Sequence, residues 1–240
     1  MKYIVWSNVR LILMIGVVIF LYSFTSIRNS NRKLIKSEVV FVGKSKNFLK
    51  HETVNKLLIE NNSNVKTIAK LGVDLKKLEN SINKQEMVKS SQVFVSVDGV
   101  LNAEVIQKTP IARVENGLSS FYIDNEGSKM SISELFTARV MLISGKIDNK
   151  NRKKIAMLVN KINNDEFMKK NIIGMQVLNN DDIILANRNY DFQIEFGKVM
   201  NVEDKILKYK AFFQKANQDD VLKKYKKINL KFSHQVVCTK

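Results

Sequence analysis

Two histidines, His51 and His234, and one cysteine, Cys238, are the side chains of this sequence best suited to nucleophilic or metal chemistry, and their number and spacing argue against both. A structural zinc ion needs four converging nitrogen and sulfur ligands, and the sequence supplies three, spread over its length. A Ser-His-Asp relay through His234 lacks the Gly-x-Ser-x-Gly turn that exposes a serine nucleophile. Gly43-Lys44-Ser45 follows a strand-like run as the end of a phosphate-binding loop would, but the first glycine of that motif is replaced by Glu38, whose carboxylate repels phosphate. Asp181-Asp182 is a carboxylate pair beside Asn179 and Asn180, a turn composition. Asp124 and Glu126 sit in another turn, and Asp219-Asp220 follows a helical stretch. No acid pair stands at a strand end beside an aromatic platform, as glycoside hydrolysis would ask. The residues therefore predict no catalytic site, no metal and no cofactor.

The elements that would position any functional group begin with an uncharged stretch, Leu11 to Ile27, that reaches the ~20 residues needed to cross hydrocarbon when extended back past Arg10 to Tyr3. Trp6 and Tyr22 suit the two interfaces, and Arg10 can snorkel to the nearer one. A cleaved signal peptide is the rival, but no small-residue cleavage site follows the run. Lys2 and Arg10 precede the span, and Arg28, Arg32, Lys33 and Lys36 follow it, so the positive-inside rule alone would hold the body in the cytoplasm. The charge of +17 comes from lysine spread along the chain. No Lys/Arg block is interleaved with aromatics as single-strand binders require, so nucleic acid is not an expected partner. A lone Cys238 excludes an intrachain disulfide.

Beyond a polar linker, 28–36, Glu38 to Val42 reads as a strand. Val54, Leu57 and Leu58 recur at helical spacing, Val65 to Leu71 is a second short helical or irregular piece, and Asp74 is placed to cap a helix bearing Leu75, Leu78 and Ile82. The period then switches to two at Val93, Val95 and Val97. Asp98-Gly99 turns the chain, and Leu101, Ala103 and Val105 alternate on the return. Strand-helix-helix-strand-strand predicts a three-stranded sheet covered on one face by two helices. Pro110 marks a boundary. After it come a hairpin around Asp124 to Gly127, a strand at Val140 to Ile143, and a helix with Ile155, Leu158, Val159 and Ile162. Ile172 to Leu178 and Ile183 to Ala186 form a second hairpin, followed by a strand at Phe192 to Phe196. A helix with Val202, Ile206, Tyr209, Phe213 and Ala216 on one stripe comes next. The chain closes on Ile228, Leu230 and Phe232 in alternation, then Val236 to Cys238. The fold class is α+β, with a mostly antiparallel β domain carrying two helices. If the last extended run, Ile228 to Phe232, lies at a sheet edge, its backbone can accept a partner strand. If another strand of its own domain covers it, it cannot.

The order of parts resembles the FtsQ/DivIB family of bacterial division proteins. Arg28-Asn29-Ser30-Asn31-Arg32 and Val54-Asn55-Lys56-Leu57-Leu58 are similar to its Bacteroidetes branch, and Leu78-Glu79 to the family's Leu-Glu helix. Lys108-Thr109-Pro110-Ile111-Ala112-Arg113 resembles the stretch that ends its first module, Tyr122 to Gly127 its hairpin, and Ile228-Asn229-Leu230-Lys231-Phe232 its terminal strand, with Asn229 and Phe232 where the family has Asp and Tyr. The resemblance implies a cytoplasmic tail at 1–10, a transmembrane helix at 11–27, a POTRA module at 37–113 and a β domain at 114–240. It further implies an inner-membrane, single-pass protein with its bulk in the periplasm at the division septum, acting as a non-enzymatic scaffold. Its partners would be an FtsB-like and an FtsL-like protein, joined by β-strand addition at Lys231, Phe232, Ser233 and His234 with Val236 and Val237 beyond. Other division proteins would bind the POTRA module. The competing implication is a membrane-anchored POTRA adaptor for secretion or outer-membrane protein assembly.

Overall fold

The computed structural model describes residues 6–30, 32–43, 48–59, 65–117 and 119–240. Lys2, Tyr3, Asn31, Lys44 and Ser45, which figure in the expectations above, lie outside these. The chain divides into two compact units, the first running to Gln107 and the second from Lys108 to Lys240 with Phe48 added to it. The expected boundary at Arg113 therefore falls inside the second unit. The reason is that Pro110 opens a strand there rather than ending a module, and the first position of a strand is one that proline's missing N–H tolerates.

Helix α1, Trp6–Ser30, contains an apolar window, Asn8–Asn29, long enough to cross a membrane, and none of it is buried by the rest of the protein. An all-round apolar helix with no protein against it matches a bilayer as solvent.

The first unit holds β1 (Lys36–Val42), α2 (His51–Leu58), α3 (Leu75–Asn83), β2 (Val88–Val95) and β3 (Val100–Gln107). The sheet order is β1-β3-β2, with β1 parallel and β2 antiparallel to the central β3. Alternation divides the sheet faces. Leu101, Ala103 and Val105 of β3 are buried in a cluster with Val54 and Leu58 of α2 and Leu78 and Ile82 of α3, while Glu104 and Ile106 face outward. The Asp74 carboxylate caps α3 by accepting from the Lys77 N–H at 3.0 Å. Gly99, at φ +90°, closes the β2–β3 turn in a backbone region that side chains resist.

The second unit is one nine-stranded sheet. Its strands are β4 (Pro110–Glu115), β5 (Ser120–Asp124), β6 (Lys129–Met130), β7 (Met141–Gly145), β8 (Ile172–Val177), β9 (Ile183–Asn187), β10 (Gln193–Gly197), β11 (Lys227–Asn229) and β12 (Val237–Thr239). They run in the order β12-β11-β10-β9-β8-β7-β4-β5-β6. Five of its strand pairings are antiparallel, and three, β4–β7, β7–β8 and β10–β11, are parallel. Two of the parallel pairs follow from helical crossovers. The helices α4 (Arg152–Asn164) and α5 (Glu166–Asn171) carry the chain from β7 to β8, and α6 (Val202–Gln218) carries it from β10 to β11. A helix between two neighbouring strands returns the chain to the same end of the sheet and forces parallel pairing. The short α5 was not expected. Asp165 starts it by accepting from the Met168 N–H at 3.0 Å.

The stripes read from the sequence are the buried ones. Ile155, Leu158, Val159 and Ile162 of α4, and Ile206, Tyr209 and Ala216 of α6, join the strand interiors in one core, with Val202 and Phe213 packed against it. The Tyr209 hydroxyl accepts from Asn187 at 3.0 Å inside that core, and burial pushes its phenol well above the ordinary range.

Two positions test this architecture. A Cβ on Gly145, at φ +96°, would stand 2.0 Å from the Val177 carbonyl oxygen, where β7 meets β8. Gly145→Ala should cost upwards of ~3 kcal/mol, seen as loss or a large downward shift of the second unit's thermal unfolding transition. Asp74→Ala should remove one cap and cost about 1 kcal/mol, seen as faster amide hydrogen exchange in α3 with the second unit unaffected.

Candidate functional site

The expected terminal strand, Ile228 to Phe232, divides in the structure. Ile228 lies in β11, which is flanked on both sides, by β10 in parallel and by β12 in antiparallel. Leu230 extends the parallel side, its N–H donating to the Glu195 carbonyl at 2.9 Å. The end of the sheet is instead β12, Val237–Thr239, whose residues pair with Asn229, Ile228 and Lys227. Of the residues expected at the edge, only Val237 is in the end strand. Lys231, Phe232, Ser233 and His234 form the reversal between β11 and β12, and Val236 leads into β12. Of the alternating residues only Ile228 lies in a strand, and the chain reverses after Leu230 and supplies its own neighbour in β12.

The reversal is held by charged groups. The Asn229 side-chain oxygen accepts from the Lys231 N–H at 2.9 Å and starts the turn. The Lys231 ammonium lies 3.2 Å from Asp182 on the β8–β9 turn and 3.6 Å from Glu195 on β10. The hydrogen bond to Asp182, reinforced by the charges of Asp182 and Glu195, raises the lysine above its ordinary range. A raised lysine keeps its stabilising charge at neutral pH and loses it only as pH climbs through the folded value. The aliphatic stem of Lys231 crosses Gly197, where a Cβ would come within 2.8 Å of its Cγ. Lys208 of α6 donates to the Ser233 carbonyl and pairs with Asp204. Of these partners only Asp182 carried a sequence signal, as half of a carboxylate pair in a turn, and nothing in it pointed to the reversal. Each is an ordinary surface residue until the fold brings it to the reversal.

Side chains along this end of the sheet separate by environment. Val236 and Cys238 pack against the core, and burial raises the Cys238 thiol. Phe232 at 48% and Val237 at 40% exposure present apolar surface to solvent. An end strand flanked by an exposed phenylalanine and an exposed valine has the features that strand addition uses.

The other sheet ends are blunted. On β1 the Val39 carbonyl lies 3.2 Å from Nδ1 of His51, which donates in the tautomer carrying its proton there. On β2 the Val93 N–H donates to the Glu79 carboxylate of α3 at 3.1 Å, and the Ser91 hydroxyl reaches Asn83 at 2.9 Å. The remaining end strand, β6, spans Lys129–Met130. His51 and Glu79 thus meet main-chain groups that a partner strand would use.

The groups with catalytic potential do other work. Asp181 stands in the left-handed region at φ 62° and accepts from the buried Asn151 side chain at 3.1 Å. His51 caps a strand, and His234 lies exposed in the reversal. Among the described residues no group of three or more His, Cys, Asp or Glu side chains could hold a metal ion.

Comparison with known proteins adds one finding. No curated protein sequence matches the chain. The family described as FtsQ/DivIB, C-terminal related, matches residues 109–239, more than half of the chain, from the residue before β4 to the last residue of β12. Matched across the whole of this sheet, the chain belongs to the FtsQ/DivIB family of non-enzymatic cell-division proteins.

Proposed function

We propose that this protein is a single-pass scaffold of the bacterial division septum that recruits an FtsB-like and an FtsL-like protein, and through them the septal peptidoglycan synthase, by strand addition to β12. The observation that carries the reading is the family match over a sheet whose end strand is β12. The apolar α1 is compatible with anchoring in the inner membrane. In this reading the tail lies in the cytoplasm and both folded units in the periplasm, which the weak charge bias of the flanks does not prevent for a long translocated domain.

Strand addition derives its affinity from main-chain hydrogen bonds and its register from side-chain pockets. Here β12 provides the main chain, Phe232 and Val237 the exposed apolar contacts, and Lys231, Ser233, His234 and Val236 the reversal that holds the strand in place. The phenylalanine at position 232 lacks the family tyrosine's hydroxyl, which ladder hydrogen bonds do not need.

The strand-helix-helix-strand-strand order of the first unit, with β1 parallel to β3, supports reading it as a POTRA module, ending at Gln107 rather than Arg113. As the surface for other division proteins it would work through its exposed faces. A secretion adaptor would require an open edge on this sheet, and the His51 and Glu79 contacts disfavour that alternative.

The test is recovery of the FtsB-like protein with tagged full-length chain from envelope extracts. Phe232→Lys places a charge at an apolar contact, and Val237→Pro removes a ladder donor. Each should lower recovery by about tenfold or more, corresponding to ~1.4 kcal/mol, with the unfolding transition of the second unit retained. Undiminished recovery with both variants would rule out this edge. Filamentation on depletion supports the division role, and loss of secretion without filaments refutes it.

A further inference from the structure

A cleft of about 430 Å³ opens in the second unit where three loops converge. One loop runs from β7 into α4 (Lys146 to Asn151), the second joins β8 to β9 (Asn179, Asp181), and the third leaves β10 (Lys198 to Met200). This is the carboxyl end of the parallel pair β7–β8, followed by the crossover helix, the place where open sheets with such crossovers hold ligands. The loops are fixed to one another. The buried Asn151 side chain donates to the Lys146 carbonyl at 2.9 Å and to Asp181 at 3.1 Å, and accepts from the Asp148 N–H at 3.0 Å.

Four ammonium groups surround the cleft, those of Lys146, Lys150, Lys154 and Lys198, against the carboxylates of Asp148 and Asp181. Among the described residues none of the four forms an ion pair within salt-bridge distance. Both carboxylates are turned to internal use. Asp181 is bound by Asn151, and Asp148 accepts from the N–H groups of Lys150 at 2.8 Å and Asn151 at 3.1 Å, which hold its carboxyl below the ordinary range. Beneath the charges lie Ile155, Val177 and Ile183, all buried, with Val199 and the exposed Met200 on the wall.

Two features decide the ligand class. A compact phosphate is held best where backbone N–H groups or a guanidinium fork converge on it, with lysine adding a point charge. Here the Asp148 carboxylate takes the N–H groups of Lys150 and Asn151 just before α4, its main-chain carbonyl takes that of Arg152, and its charge and that of Asp181 oppose a compact dianion. Spaced lysines beside the accessible apolar wall of Val199 and Met200 instead fit separate carboxylates alternating with apolar side chains. We infer that this cleft binds an acidic, partly apolar peptide segment of a partner protein, its carboxylates on Lys146, Lys150, Lys154 and Lys198 and its apolar side chains against Val199 and Met200. The cleft borders the reversal before β12, because Asp182, between Asp181 and Ile183, holds Lys231, but no residue of β12 lines it and it does not require the strand-addition reading.

The experiment is fluorescence anisotropy of a labelled peptide of alternating glutamate and leucine against the full-length protein in non-ionic detergent. Binding should exceed that of a lysine–leucine peptide and of a glutamate–serine peptide by about tenfold or more, and should weaken as salt rises. The doubly substituted Lys154→Glu, Lys198→Glu protein, altered only at exposed side chains, should bind at least about tenfold more weakly with an unchanged unfolding transition, whereas Val237→Pro should bind as the parent does. Equal binding by the parent and the double variant would overturn the inference. So would equal binding of the glutamate–serine peptide, or displacement of the peptide by inorganic pyrophosphate at similar concentration, since either assigns the cleft to charge alone.

Discussion

An open β-sheet has two ends, and each end strand carries a row of main-chain donors and acceptors that its own sheet cannot satisfy. The structure of this protein is organised around that constraint. In the first unit the Val93 N–H of β2 is taken by the Glu79 carboxylate, and the Val39 carbonyl of β1 is met by His51. In the second unit one end is reduced to the short β6. The remaining end, β12, is left with apolar side chains beside its backbone rather than a capping group. An end strand without such a guard is the kind of edge that strand addition uses.

Keeping such an end in place is a separate problem. A three-residue strand with one neighbour gains little from its own ladder, so β12 depends on what holds the reversal before it. Lys231 ties that reversal to two other elements, through Asp182 and Glu195, and Lys208 ties it to α6. Individually these exposed pairs contribute well under ~1 kcal/mol. Their effect comes from acting together on a segment already anchored by Leu230, Val236 and Cys238 in the core. Lysine in this chain is therefore more than a solvated coating. Some of it fastens the edge, and some of it surrounds the cleft between β7, β8 and β10.

Much of the fold was legible before any coordinates. The helices appeared in the spacing of Val54, Leu57 and Leu58, of Leu75, Leu78 and Ile82, and of Ile206, Tyr209 and Phe213. Asp74 announced its helix because a short carboxylate before an apolar repeat has one common use, and it caps α3 as expected. The strands β2 and β3 appeared in the alternation of Val93 and Val95 and of Leu101, Ala103 and Val105, and Asp98-Gly99 in its turn chemistry, although Val97, expected on the same face, lies past the end of β2 and is exposed. The crossovers were less visible. A mostly antiparallel sheet was expected, and the parallel pairs β7–β8 and β10–β11 appear only when α4 and α6 are seen to return the chain to the same end. Pro110 was read as a separator, and it stands just after the first unit ends at Gln107; that it also opens β4 was not read from the sequence.

The candidate site divides along the same line. The sequence by itself determined an apolar helix able to span a bilayer, the identity of nearly every helix and strand, and the faces those elements bury, because each depends on neighbours within one or two turns or pleats. Which strand ends the sheet was decided only in three dimensions. A period of two reports what lies above and below a strand, perpendicular to the sheet, and says nothing about what lies beside it in the plane of the hydrogen bonds. Ile228 alternates as an edge strand would, and it is enclosed by β10 and β12. The reach of Lys231 to Asp182 and Glu195, and the gathering of four lysines around Asn151, likewise belong to the packing of distant segments, which no local pattern encodes.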